Sequence, residues 1–289
     1  METSELLKRV RKIEIKTKGI SNELFSGEYH SAFKGRGMSF SEVRDYQYGD
    51  DVRNIEWNVT ARTGVPHVKV FEEERELTVM LVVDGSPSSF FGTKELSRNA
   101  LITEICAVLA FSAINNNDKV GLILFSTEID LYIPPKKGRK HILRIIRELI
   151  DHRPAHRGTD IGLALQYLNN VVKKKSICFL LTDFYSDPFD QALQVTARKH
   201  DFIGVHLYDP FEKELPKAGL VRIADLEAGG NRIVDTSDTQ TRDAHANAFQ
   251  AKVEILSAAF KRCGSDIIHI ETGESYVMAL HRFFKKRAG

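Results

Sequence analysis

The chain has 289 residues, enough for one large domain or for one domain with a smaller appendage. Apolar residues make up 42% and charged residues 28%, the ordinary balance of a water-soluble globular protein. With 41 basic against 39 acidic residues the net charge is only +2, which gives no global nucleic-acid or membrane signature.

The opening stretch METSELLKRVRKIEIK mixes charged with apolar residues and lacks a signal-peptide core. Its Leu6, Leu7, Val10 and Ile13 stand at helical spacing, which predicts a short amphipathic helix over residues 3 to 16. Residues 17 to 75 read differently, with short alternating stretches and the turn signals GRG and YGDD. The stretch VPHVKVFEEERE alternates in its first half and predicts an extended strand leading onward. Residues 1–75 are therefore expected to form a helix and β-rich extension, and residues 76–289 the main domain. Within the extension, Asp50 or Asp51 is placed to cap a short helix holding Trp57, and arginines alternate with acids around it. Two readings stay open. The segment is either a salt-bridged insertion packing Trp57 against the main domain, or a docking surface built from Asp50, Arg53, Trp57 and Arg62.

From Leu77 onward strands alternate with helices. LTVMLVVD, DKVGLILFS, KSICFLLTDF and DFIGVHLYD are continuous apolar runs of strand length, and IDLYIPP reads as a short edge strand stopped by its two prolines. Helical patterns separate them: KELSRNALITEICAVLAFSAINNN, GRKHILRIIRELI, TDIGLALQYLNNVV and DPFDQALQVTARKH. LVRIADLE and NRIVDT form a pair of short strands. A helix around 240 to 262, the strand SDIIHIET and a helix through SYVMALHRFFKK close the chain. Apolar strands separated by helices predict a sheet buried on both faces, a doubly wound, mostly parallel α/β fold. Nowhere do about 18 apolar residues run together, so no membrane span is expected. Cys106, Cys178 and Cys263 are odd in number, widely spaced and set in apolar segments, which predicts reduced thiols and a cytoplasmic setting. The basic runs 136–140, 173–175 and 285–287 read as solvated helix ends and loops.

Ligands of an open α/β sheet bind beyond the carboxyl ends of its strands. The first strand ends at Asp84 and delivers Ser86 and Ser88; another ends at Thr182 and Asp183. Between them Gly158-Thr159-Asp160 opens a helix, with Thr159 at the expected N-cap. Each residue alone is an ordinary helix cap. Together, two carboxylates and three hydroxyls suit a hard divalent cation, which prefers oxygen ligands and is held through one or two carboxylates. His152 and His156 stand four apart, but Pro154 interrupts any helix between them and no Glu completes the metalloprotease pattern.

DGSPS, GTD and LTDF in this order resemble the metal-ion-dependent adhesion site of von Willebrand factor A domains. The stretch from FSEVRDYQYGDD through LVVDGSPSSFFGT, with DKVGLILFS, YIPPKKGRKHILRII and MALHRFFKKR, resembles the bacterial family called domain of unknown function 58. The likeness covers nearly all the chain after about residue 20. It implies direct metal ligation by Ser86, Ser88 and Thr159, and largely water-mediated ligation by Asp84 and Asp183. The cation would be Mg2+, or Mn2+ or Ca2+, recruiting an Asp or Glu of a protein partner. The resemblance also implies a MoxR-type AAA+ ATPase as partner, in chaperone-like assembly or remodelling of clients. Pro87, between the two serines, is stiffer than the family pattern expects.

A metal-dependent hydrolase or phosphotransferase on the same crest is the alternative. It lacks an evident nucleophile or general base: a haloacid-dehalogenase-like site wants a second Asp where Ser86 stands, and G-x-S-x-G is missing. Neither G-x-G-x-x-G after a strand nor G-x-x-x-x-G-K-[ST] occurs, which argues against nucleotide binding.

Overall fold

The structure, a computed structural model, describes residues 3–25, 38–73, 76–93, 97–154, 156–224 and 230–288. Helix α1 (Thr3–Phe25) runs beyond the expected residue 16 because its inward stripe continues through Thr17 and Ile20. Leu6 and Val10 are buried, and Thr17 donates its hydroxyl to the Ile13 carbonyl at 2.7 Å. Two ion pairs fasten α1 to later parts of the chain: Lys16 Nζ to Glu104 Oε2 at 2.6 Å, and Arg139 Nε to Glu14 Oε1 at 2.5 Å.

Strand β1 (Met38–Asp45) pairs antiparallel with β2 (His67–Glu73), and α2 (Trp57–Thr63) lies between them in the chain. The cap of α2 is Glu56, which accepts from Asn58 N, not Asp50 or Asp51 as expected. Asp51 instead caps the 3-10 turn over residues 52–54, and Asp50 is held by both Arg44 Nη atoms at 2.8 Å. Trp57 is 68% exposed, so the reading that packs it against the main domain is corrected.

The central sheet has six strands: β3 (Thr78–Asp84), β4 (Lys119–Phe125), β5 (Ile129–Lys136), β6 (Ile177–Thr182), β7 (Asp201–Tyr208) and β10 (Asp266–Glu271). Their order is β10-β7-β6-β3-β4-β5, and only β5 runs antiparallel to its neighbour. Strand β5 is not stopped by Pro134 and Pro135 but passes through both. Adjacent residues aim their N–H groups to opposite sides, so the open edge accommodates one missing donor, and the register shift between Val120 and Leu122, opposite the two prolines, accommodates the other.

Period-two alternation distributes the strand side chains between two cores. Val79, Leu81 and Val83 of β3 face α3 (Arg98–Asn115), α4 (Arg139–Asp151) and α9 (Tyr276–Ala288). Met80 and Val82 face α5 (Ile161–Val171), α6 (Asp190–Lys199) and α8 (Thr239–Arg262). Helix α3 is apolar on every side because α1 covers the flank that the sheet does not. The short helix α7 (Pro210–Lys213) and the hairpin β8 (Leu220–Ala224) and β9 (Asn231–Asp235) lie between β7 and α8 in the chain. All three cysteines are free thiols, Cys106 and Cys178 buried and Cys263 half-buried. No helix among the described residues is long and apolar enough to cross a membrane.

Gly204 of β7 marks a tight contact of this packing. A Cβ there would meet Phe260 Cζ at 2.6 Å, and that ring is fully buried, stacked on Phe202 and edge-on to Phe184. Gly204→Ala is expected to cost about 1–3 kcal/mol through overpacking, read as a lower urea midpoint at unchanged m-value.

Candidate metal centre

Three loops meet beyond the carboxyl end of β3. In the first, Gly85 N donates to the Phe125 carbonyl at 2.7 Å, tying the turn after β3 to the end of β4. Gly85 has no room for a side chain, since its Cβ would stand 2.6 Å from His152 Nε2. That imidazole nitrogen lies 3.1 Å from the Gly85 carbonyl oxygen, a contact that its N–H tautomer satisfies. Pro87 takes the first position of a 3-10 turn over Pro87–Phe90, where its missing N–H is not needed. Ser86 precedes that turn as a cap by position, yet its hydroxyl makes no cap bond. It lies instead 2.9 Å from Ser88 Oγ. Asp84 Oδ1 accepts from Ser86 N at 2.9 Å, and Oδ2 from the Thr182 hydroxyl at 2.7 Å.

In the second loop the cap of α5 is Asp160, which accepts from Leu163 N at 2.8 Å; the expectation of Thr159 as cap is corrected. Both residue types cap helices well, and the loop's anchors select between them. Asp160 N donates to the Ser126 carbonyl after β4 at 2.8 Å, and Ile161 N to Ser186 Oγ after β6 at 3.2 Å. Because β3 lies between β4 and β6, these two anchors hang the Thr159 turn over the end of β3. Thr159 is buried there.

The third loop follows β6. Asp183 Oδ1 accepts from Tyr185 N at 3.0 Å, and Oδ2 from Arg98 Nη1 at 2.7 Å. The chain turns through Phe184 at φ 57°, a left-handed conformation uncommon for such a bulky residue. Its ring is locked by Phe189, Phe260 and His206, which holds the strained turn in place.

Charge is concentrated here with little solvent to screen it. Burial and the neighbouring Asp183 push the Asp84 carboxyl up to about 7. Arg98, 1% exposed, spans the site: Nη1 also reaches the Ser88 carbonyl at 3.0 Å, and Nη2 reaches Glu212 Oε2 at 2.5 Å. Lys252 Nζ donates to the Asp183 carbonyl at 2.8 Å and stands 3.0 Å from the centre of the Tyr185 ring. Burial lowers its pKa to about 8, so it remains mostly charged at neutral pH. Asp84, Asp183 and Glu212 against Arg98 and Lys252 leave one negative charge in excess when all are ionised.

Arg98 and Lys252 escaped the sequence reading. The signal for Arg98 was present: a cation in the first turn of an apolar helix opposes the helix dipole, so it requires carboxylates from elsewhere. Among the described residues no three His, Cys, Asp or Glu side chains gather where they could hold a metal ion. The donor set on offer is hydroxyls backed by two carboxylates, which suits Mg2+ better than zinc.

Residues 42–254 match the family described as protein of unknown function DUF58. The chain belongs to the DUF58 family. This DUF58 chain is 28% identical over 291 residues to the uncharacterized protein Rv1480 of Mycobacterium tuberculosis, covering 99% of this chain and 91% of the relative. Its fold is similar to the crystal structure of an aerotolerance-related membrane protein from Bacteroides fragilis, at TM-score 0.51 and 16% identity over 73% of this chain and 99% of that one. The SpRpn10 VWA domain aligns at TM-score 0.43 and 9% identity over 70% of this chain and 92% of that one. The DUF58 chain thus has the expected doubly wound, mostly parallel α/β architecture.

Proposed function

We propose that this crest binds one divalent cation, Mg2+ in the first instance and otherwise Mn2+ or Ca2+, and through it a carboxylate offered by a protein partner. Ser86, Ser88 and Thr159 would be direct ligands. Asp183, with both oxygens already engaged by Tyr185 N and Arg98, would act through water, and Asp84 likewise. The observation that carries this reading is a set of loop hydroxyls, Ser86 and Ser88 paired at 2.9 Å and neither spent on a cap, beside two buried carboxylates. The bound ion supplies electrostatic attraction for an incoming anion. With Asp84, Asp183, Glu212, Arg98 and Lys252 all ionised, a dication takes the site from one unit negative to one unit positive, and a partner's Asp or Glu brings it to neutrality.

The resemblance stated above adds the partner class, a MoxR-type AAA+ ATPase with which this interaction module would assemble or remodel clients. The segment of the 3-10 turn and α2 is a second contact in this reading, since Arg53 is exposed on the turn and Trp57 and Arg62 on the helix. Asp50 serves it indirectly, committed to Arg44.

Saturating Mg2+ is expected to raise the melting temperature. At one hundred times Kd the gain is about 2.7 kcal/mol, and Ser86→Ala or Thr159→Ala should remove it without unfolding the protein. A calorimetric titration that finds no divalent binding at millimolar metal sinks the reading. Reproducible metal-dependent phosphatase turnover, lost in Asp183→Ala, would assign the crest to hydrolysis instead.

A further inference from the structure

The net charge of +2 conceals a lopsided distribution. Residues 6–20 of α1 carry six Lys and Arg and a single acid, Glu14, which is buried and paired with Arg139. Lys8, Arg11, Lys12 and Lys18 are exposed on the flank of α1 that faces away from α3 and α4, and no ion pair to a described residue neutralises them. The neighbouring α4 exposes Lys140 and Arg144 outward, likewise without such a partner. Set among the cations of α1 are two large apolar side chains facing water, Leu7 at 57% and Ile15 at 68% exposure. At 100° per residue, Leu7, Lys18, Arg11, Ile15, Lys8 and Lys12 follow one another around one side of the helix within about 140°.

We infer that the outer face of α1, extended by α4, is a docking surface for a bilayer containing anionic lipid, on which the protein lies without crossing it. Charge complementarity selects an anionic occupant. The apolar pair distinguishes a bilayer from a nucleic acid: isoleucine and leucine gain from an acyl boundary, and phosphate backbones offer them nothing. The cations would rest at the headgroup level, where negative surface potential attracts them within a Debye length. Helix α1 is already folded against the core through Leu6, Val10 and Glu14, so association spends no ordering entropy on it. This surface lies on the helix layer of α1, α3 and α4, whereas the candidate metal centre lies at the carboxyl ends of the strands. A membrane-seated molecule therefore keeps the crest open sideways.

The test is co-sedimentation of the full chain with vesicles of phosphatidylcholine alone, and with vesicles holding about a third phosphatidylserine. Binding is expected only to the anionic vesicles and to fall at least ten-fold between 0.1 and 0.5 M salt, following the screening rule. Lys8→Glu with Lys12→Glu should lower the partition coefficient at least ten-fold while circular dichroism and melting temperature stay unchanged. Leu7→Ser with Ile15→Ser should lower it several-fold with every charge intact. Equal binding to both vesicle types, or none to either, overturns the inference. Failure of the serine pair to weaken binding, or tighter capture of a duplex DNA or RNA fragment than of vesicles, removes the bilayer as occupant.

Discussion

Replacing Arg98 by methionine is expected to lower stability by about 3–5 kcal/mol at neutral pH, the usual loss when one partner of a buried ion pair is removed. The guanidinium is 1% exposed and holds Asp183, itself 2% exposed, together with Glu212 and the Ser88 carbonyl. Methionine fills a similar volume but strands the Asp183 charge without its partner. Arg98→Lys keeps the charge and loses the two-pronged reach, so a smaller loss is expected. The informative comparison is between Mg2+ and a chelator. If a dication binds at this crest, it supplies the missing positive charge, and the deficit of Arg98→Met measured by urea unfolding should shrink when Mg2+ is present. An equal deficit in both conditions would detach Arg98 from the proposed centre, and a loss under 1 kcal/mol would show that the charge is not isolated from water.

Asp84→Asn is expected to move stability the other way. In the metal-free protein the Asp84 carboxylate is disfavoured by burial and by Asp183, with a folded-state pKa of about 7 against a value near 3.8 in the unfolded chain. Between those values the folded state holds more of the proton. Stability contributed by this group is therefore full below about pH 4 and declines as pH rises toward 7. Asparagine keeps an acceptor for Ser86 N and carries no charge, so it should raise metal-free stability at pH 7–8 by on the order of 2 kcal/mol and flatten the decline. The same substitution should abolish the Mg2+-dependent rise in melting temperature. Gain without metal and loss of response to it is the signature of a functional carboxylate kept at a cost in stability. Were Asp84 only a turn cap, the gain at pH 7–8 would remain, because burial and Asp183 cause it, and the metal response would persist.

The parts of the fold legible in the sequence are those set by local chemistry. Strands β3, β4, β6 and β7 are buried on both faces, so each appears as an unbroken apolar run ended by a polar turn. The loop after β3 was legible for the same reason, as an abrupt change from Val83 to Asp84, Ser86 and Ser88. What stayed hidden depends on partners distant in the chain. The length of α1 follows from a surface formed by α3 and α4. The choice of Asp160 over Thr159 as cap follows from anchors at Ser126 and Ser186. The passage of β5 through Pro134 and Pro135 follows from its seat at the sheet's edge, and the exposure of Trp57 from the separate ribbon of β1 and β2. Arg98 lay between these cases: its conflict with the helix dipole was readable, but its three partners were not.

The position of α1 also fixes an order of events during synthesis. The helix is made before its seat, which residues 98–151 form, so a ribosome adding about 5–20 residues per second leaves the finished helix without that seat for roughly 6–25 s. Throughout that interval Leu6, Val10, Ile13 and Ile20 have no apolar surface to lie on. Its apolar stripe therefore stays uncovered in the nascent chain until α3 and α4 exist to receive it.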